Sequence, residues 1–197
     1  KELEANPIYQ SGPRACRATG TEHLAQQEAA ENEYLSMLTA LEEQLSSTRY
    51  ALGDRPSAVD AMILGGLRAH TNADPIPDLR SYKRVLKWAE ECGNGWDGAG
   101  ALVPFPESTP FARHMLSVAR DEYIGFIKAT AHALLAGEKT FQIDTYGEET
   151  TYLAREYPER SRHILRSLAV APLDEQALSQ VSLWLERENL EEIFFQV

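Results

Sequence analysis

The chain has 197 residues, 43% of them hydrophobic, which is enough for one substantial core or for a domain with an appendage. Thirty acidic side chains against nineteen basic ones leave a net charge of -11, the wrong sign for neutralising a phosphate backbone, so nucleic acid is excluded as an expected partner. No run approaches the ~18 consecutive apolar residues of a membrane span, so no membrane partner is expected. Cys16 and Cys92 stand too far apart to read as a metal or redox pair, so a reducing, cytoplasmic setting is expected.

Residues 1–21 contain Pro7, Gly12, Pro13 and Gly20 and read as an irregular lead-in with room for one short helix. The sequence begins Lys1-Glu2-Leu3-Glu4 with no initiator Met, as an internal fragment would, so a preceding segment is expected. From Glu22 to Arg49 the composition favours helix, and Tyr34, Leu38, Leu41 and Leu45 recur at helical spacing, as in one long amphipathic helix or two nearly collinear ones. Gly53-Asp54 and Pro56 then turn the chain. Ser57 is placed to cap the next helix and Asp60, three positions on, to reach back to the cap amide. That helix is expected from Ala58 to about His70, with Met62, Ile63 and Leu67 on one face and Gly65 and Gly66 admitting a close neighbour. After Asp74-Pro75-Ile76-Pro77 a third helix, from about Leu79 to Glu91, carries Tyr82, Val85, Leu86 and Trp88.

Gly93 to Gly100, followed by Pro104, Pro106 and Pro110, breaks all periodicity. The glycines do not form a phosphate loop, since no Lys-Ser/Thr follows and no strand precedes; Trp96 is expected to plug a crevice. A further long helix spans Thr109 to about Ala136, with Gly137 as its stop. Thr140 to Tyr146 alternates apolar and polar, Gly147-Glu148 supplies a turn, and Glu149 to Leu153 returns, giving a β-hairpin within 140–153. An isolated hairpin is marginal in water, so this one must pack on something. Helices are expected from about Pro158 to Leu168 and from Asp174 to about Asn189, and the apolar end Ile193-Phe-Phe-Gln-Val197 is expected to dock. The domain reading is therefore 1–21 lead-in, 22–92 helical core, 93–108 Gly/Pro-rich connection and 109–197 helical extension.

Side chains with chemical potential are sparse. The five histidines are scattered with no pair four apart on a helix, so no metal site is expected. Adjacent acids such as Glu42-Glu43 do not face one another and read as solvated surface. Arg155, Arg160, Arg162, His163 and Arg166 form a basic cluster in which Arg162 and Arg166 share a helical face; pairing with local acids is preferred there to an anion site. Arg14 and Arg17 are candidates for binding an anionic ligand. Tyr34, with Tyr82, Trp88, Trp96 and Phe111, is a candidate for lining an apolar pocket, although core packing is the better reading of Trp88.

The string Leu52-Gly53-Asp54-Arg55-Pro56-Ser57-Ala58-Val59-Asp60 resembles the entry to the central core helix of the glutathione S-transferase C-terminal domain. The preceding helix, Tyr50, Asp74-Pro75 and Val85-x-x-Trp88 are similar in order and spacing. Glu122 to Leu168, through Ala133-Leu-Leu-Ala-Gly-Glu-Lys139 and Tyr157-Pro-x-x-Ser-Arg162, resembles a helix-hairpin-helix extension found after that domain in some bacterial proteins. The resemblance implies a mainly α fold: a glutathione S-transferase C-terminal-like helical bundle with one small β-hairpin in a C-terminal extension. It also implies a wall for a small hydrophobic electrophile, homodimer contacts, and glutathione as co-substrate. Thiol activation would reside in a thioredoxin-like domain that no segment here resembles, so no catalytic residue is assigned and the chain alone is not expected to be catalytic. The alternative is a non-catalytic protein-protein interaction module, suggested by the acidic composition, the hairpin and Phe194-Phe195; a free-standing helical small-molecule binder is a more distant one.

Overall fold

The computed structural model describes residues 7–68, 77–91 and 95–194. They form two compact units: a middle unit, Glu31–Ser117, and an end unit made of Lys1–Ala30 and Val118–Val197. The expected helix end at His70, Asp74-Pro75, Cys92 and the terminal Phe195 to Val197 lie outside the described residues.

The middle unit holds most of α2 (Leu24–Gln44), then α3 (Ala58–Gly66), α4 (Lys83–Glu91) and α5 (Pro110–Val118). Its core joins Leu38 and Leu41 of α2 to Ala51, Leu67, Val85, Trp88 and Phe111. On α4 the i, i+3, i+4 spacing puts Val85, Trp88 and Ala89 inside and leaves Lys83, Arg84, Lys87 and Glu90 in water. On α3 the expected apolar face divides: Ile63 and Leu67 turn toward the core, whereas Met62 is 80% exposed. Four residues separate Ile63 from Leu67, one helical turn, and Met62 falls about a quarter-turn off that line. Among the described residues nothing lies within 4 Å of where a Cβ would sit at Gly65 or Gly66, so no neighbour uses the close approach they allow.

The turn before α3 is stitched to the Gly-rich segment. Gly53 bridges both Tyr50 and Leu102, Asp54 N–H donates to Ala101 O at 2.8 Å, and Val103 N–H donates to Leu52 O at 2.9 Å. Gly53 has φ +137° and a Cβ there would meet the Ala101 carbonyl oxygen at 2.6 Å, so this position requires glycine. Trp96 does not plug a crevice. It is 40% exposed, donates from Nε1 to Ala99 O at 2.6 Å, and carries the Arg55 guanidinium 5.5 Å over its ring.

In the end unit the lead-in is a 13-residue helix, α1 (Pro7–Thr19). Two of its four breakers lie at the ends and two inside: Pro7 begins the described helix, where a missing amide is harmless, Gly12 and Pro13 lie within it, and Gly20, at φ +66°, ends it with Thr21 N–H bonded back to Cys16 O at 2.9 Å. The long helix expected from Thr109 is interrupted by a π-helical turn, Ala119–Tyr123, before α6 (Ile124–Ala136). Gly137, at φ +71°, stops α6. β1 (Thr140–Thr145) and β2 (Glu148–Leu153) pair antiparallel with Thr145 opposite Glu148. The turn is thus Tyr146-Gly147, one residue earlier than the sequence suggests, with both residues at positive φ as a two-residue hairpin of the primed type requires. The hairpin packs on α6, where Phe126 meets Phe141 and Tyr152 edge-on with ring centres 5.6 and 5.2 Å apart. α7 (Glu156–Leu165) runs into a second π-helical turn, Arg166–Val170, and α8 (Glu175–Arg187) and α9 (Glu191–Phe194) follow.

Candidate functional site

Asp60 is 2% exposed, and its carboxylate accepts three hydrogen bonds. Oδ2 takes the Ser57 N–H at 2.7 Å and the Ser57 hydroxyl at 2.8 Å, while Oδ1 takes the Ala51 N–H at 2.9 Å. Ser57 is the N-cap of α3, and the capping box is closed most tightly from the Asp60 side. Each of the three bonds that Asp60 accepts comes from backbone or the cap, which makes these two residues architecture rather than reacting groups. Thr109 completes the arrangement: its Oγ1 donates to Ala51 O at 2.9 Å and accepts the Ala112 N–H at 3.0 Å at the start of α5.

The middle unit has a cavity of about 500 Å3 beside the ends of α2 and α4, with Leu45, Tyr50 and Trp88 among its walls and Arg49 and Arg84 at its edge. Both arginines are already engaged. Arg49 binds both carboxylate oxygens of Asp97, at 3.1 and 3.2 Å, and Arg84 pairs with Glu42 at 3.2 Å. The amide of Ala99 and then the guanidinium of Arg49 hold the Asp97 carboxyl below its ordinary pKa. Trp88 thus belongs to both core and cavity wall. Tyr34, Tyr82 and Phe111 pack in or against the core and do not line this cavity.

The end unit has its own cavity of about 640 Å3, and it brings Arg14 and Arg17 of α1 together with Arg155, just before α7. Arg14, Arg17 and Ala18 share one face of α1 at i, i+3, i+4 spacing, while Phe126, Tyr152 and Tyr157 supply aromatic surface. Tyr34 belongs to the middle unit and is not part of this site. The sequence did not join Arg155 to Arg14, because the pairing runs through the hairpin. Gln26 fixes that hairpin, donating from Nε2 to Thr150 Oγ1 at 2.8 Å and to Thr145 O at 3.3 Å, and no local signal marks so distant a contact. The basic cluster of α7 divides accordingly. Arg162 is 3% exposed and gives Glu159 a two-pronged ion pair, whereas Arg155 faces the cavity.

Among the described residues no group of three or more His, Cys, Asp and Glu side chains is placed to hold a metal ion, and no helix is long and apolar enough to cross a membrane. No curated protein and no solved structure matches the chain. Residues 25–91, about a third of its length, match the family model described as glutathione S-transferase, C-terminal domain; they span α3, α4 and nearly all of α2, with the Ser57–Asp60 capping box between. Residues 25–91 are therefore glutathione S-transferase C-terminal domain-like.

Proposed function

We propose that the middle unit is the helical half of a glutathione S-transferase-like protein, where it walls the site of a small hydrophobic electrophile and contributes to a homodimer. In this reading the glutathione thiol is activated by a thioredoxin-like domain outside these 197 residues, and its sulfur attacks the electrophile in a cytoplasmic setting. The observation that carries the reading is the uncovered face of α3. Ala58, Ala61, Met62 and Gly65 follow one another at helical spacing and are all exposed, although the helix contains no charged residue except the buried Asp60. A helix this apolar is suited to burial on more than one side, and covering a side chain such as Met62 contributes about 1.5–3 kcal/mol. The thioredoxin-like domain is the cover we assign to it.

The test is Met62→Glu, made both in this chain and in the protein encoded by the complete reading frame. Near-unchanged melting of the 197-residue chain with a marked loss of stability in the longer protein supports the reading. Equal effects in the two proteins overturn it.

A further inference from the structure

The geometry points to a second ligand site, in the end unit, for a small organic anion with an aromatic or branched apolar body. This site is independent of the proposed transferase role, because the walls of the cavity lie outside residues 25–91. In a chain with thirty acids and nineteen bases, the wall holds Arg14, Arg17 and Arg155 and no acid among its described residues. Such a local reversal of sign selects an anion against the field of the whole protein. Arg14 and Arg155 have no ion-pair partner among the described residues, and Arg17 reaches Glu22 at only 3.9 Å with both side chains more than half exposed, a contact that an incoming anion displaces easily.

The backbone adds to this. Arg155 is the N-cap of α7, and no side chain caps that end, so the first-turn amides and the positive end of the helix dipole have no side-chain acceptor. Tyr157 and Pro158, in that first turn, line the cavity. Glu159, from the same turn, is committed to Arg162 and does not compete for the arginines of the site.

The remaining walls set the rest of the ligand. Phe126 and Tyr152 offer aromatic surface from α6 and the hairpin, Leu153 adds an aliphatic edge, and Tyr157 flanks the opening at 74% exposed. A volume of about 640 Å3 fits a ring system with an acidic group, and is far more than an inorganic anion needs. Guanidinium groups favour carboxylate, sulfonate or phosphate at the charged end.

The experiment is calorimetric titration of the purified chain with 1-naphthoate, set beside the neutral 1-naphthalenemethanol and inorganic phosphate. One naphthoate should bind per chain, with the alcohol and phosphate each about ten-fold weaker or more, since each lacks one half of the recognition. The double variant Arg14→Gln/Arg17→Gln and the single Arg155→Gln should each weaken naphthoate by about ten-fold or more. Tyr157→Ala, at an exposed position, should weaken it with unchanged melting, and Arg160→Gln should have no effect. Absence of naphthoate binding at millimolar concentration, equal affinity for the neutral alcohol or for phosphate, or indifference to the arginine variants would overturn the assignment. None of these outcomes depends on whether glutathione binds.

Discussion

The amide of Ala51 donates to the buried carboxylate of Asp60 at 2.9 Å, and its carbonyl accepts from Thr109 at 2.9 Å. One fully buried alanine is therefore held by the opening turns of both α3 and α5, which makes the loop before α3 a joint rather than a connection. The capping box is the part of this joint visible in the sequence.

Because Asp60 satisfies three donors and Ser57 contributes mainly through its own amide and hydroxyl to Asp60, the two substitutions should not be equivalent. Asp60→Ala should destabilise by about 2–4 kcal/mol, combining a lost cap with unpaired buried amides, whereas Ser57→Ala should lose about 0.5–1 kcal/mol. Urea unfolding of the two variants checks the ranking; equal losses would refute the Ala51 joint.

Thr109 should respond to chemistry rather than volume. Thr109→Val preserves shape but removes both the bond to Ala51 O and the acceptor for Ala112 N–H, and should lose about 1–2 kcal/mol. Thr109→Ser retains the hydroxyl and should lose less. Thermal melting of the pair, read side by side, distinguishes a cap from a merely well-packed threonine.

Gly20 and Tyr152 are matched in the end unit. Gly20 has φ +66°, and a Cβ there would fall 2.0 Å from the Tyr152 hydroxyl oxygen and 2.7 Å from its ring. Gly20→Ala should therefore destabilise by about 2–3 kcal/mol, through left-handed backbone strain and overlap with a buried ring. Tyr152→Phe in the same chain should recover part of that loss by removing the closest atom, and a double-mutant cycle by chemical denaturation measures the coupling.

The ion pair between Glu159 and Arg162 should impart an acid dependence to stability. Hydrogen bonding from Arg162, the largest influence, holds the Glu159 carboxyl below its ordinary range despite partial burial. A carboxyl that releases its proton more readily when folded contributes stability in full above the ordinary glutamate value of about 4.3, and loses that contribution as pH falls through the lowered folded value. Glu159→Gln should flatten the stability profile in that acid window. At pH 7 Glu159→Ala, which strands a buried guanidinium, should lose about 3 kcal/mol in urea unfolding.

How legible each feature was follows from the range of the interactions behind it. The α3 cap rests on residues three apart, and the stops at Gly20 and Gly137 on single left-handed positions, so local chemistry displays them. The helix α1 was obscured because Pro7 and Gly20, at its ends, look like breakers when the ends are not yet known, and because Gly12 and Pro13, inside it, are poor helix formers that the helix tolerates. The π-helical turns leave only a mixed three-and-four spacing that also fits an unbroken helix. The arginine-lined cavity depends on Arg14 and Arg155 lining one wall beside a hairpin held by Gln26, and no window of sequence contains that arrangement.

The most direct measurement of the central claim is calorimetric titration of glutathione into this chain and into the product of its complete reading frame, under identical conditions. Binding by the longer protein alone is the predicted result, with the thiol site in a thioredoxin-like domain and these residues as its helical partner. Binding by neither would contradict the transferase reading and favour a non-catalytic interaction module, and binding by the 197-residue chain itself would contradict the placement of the thiol site outside it.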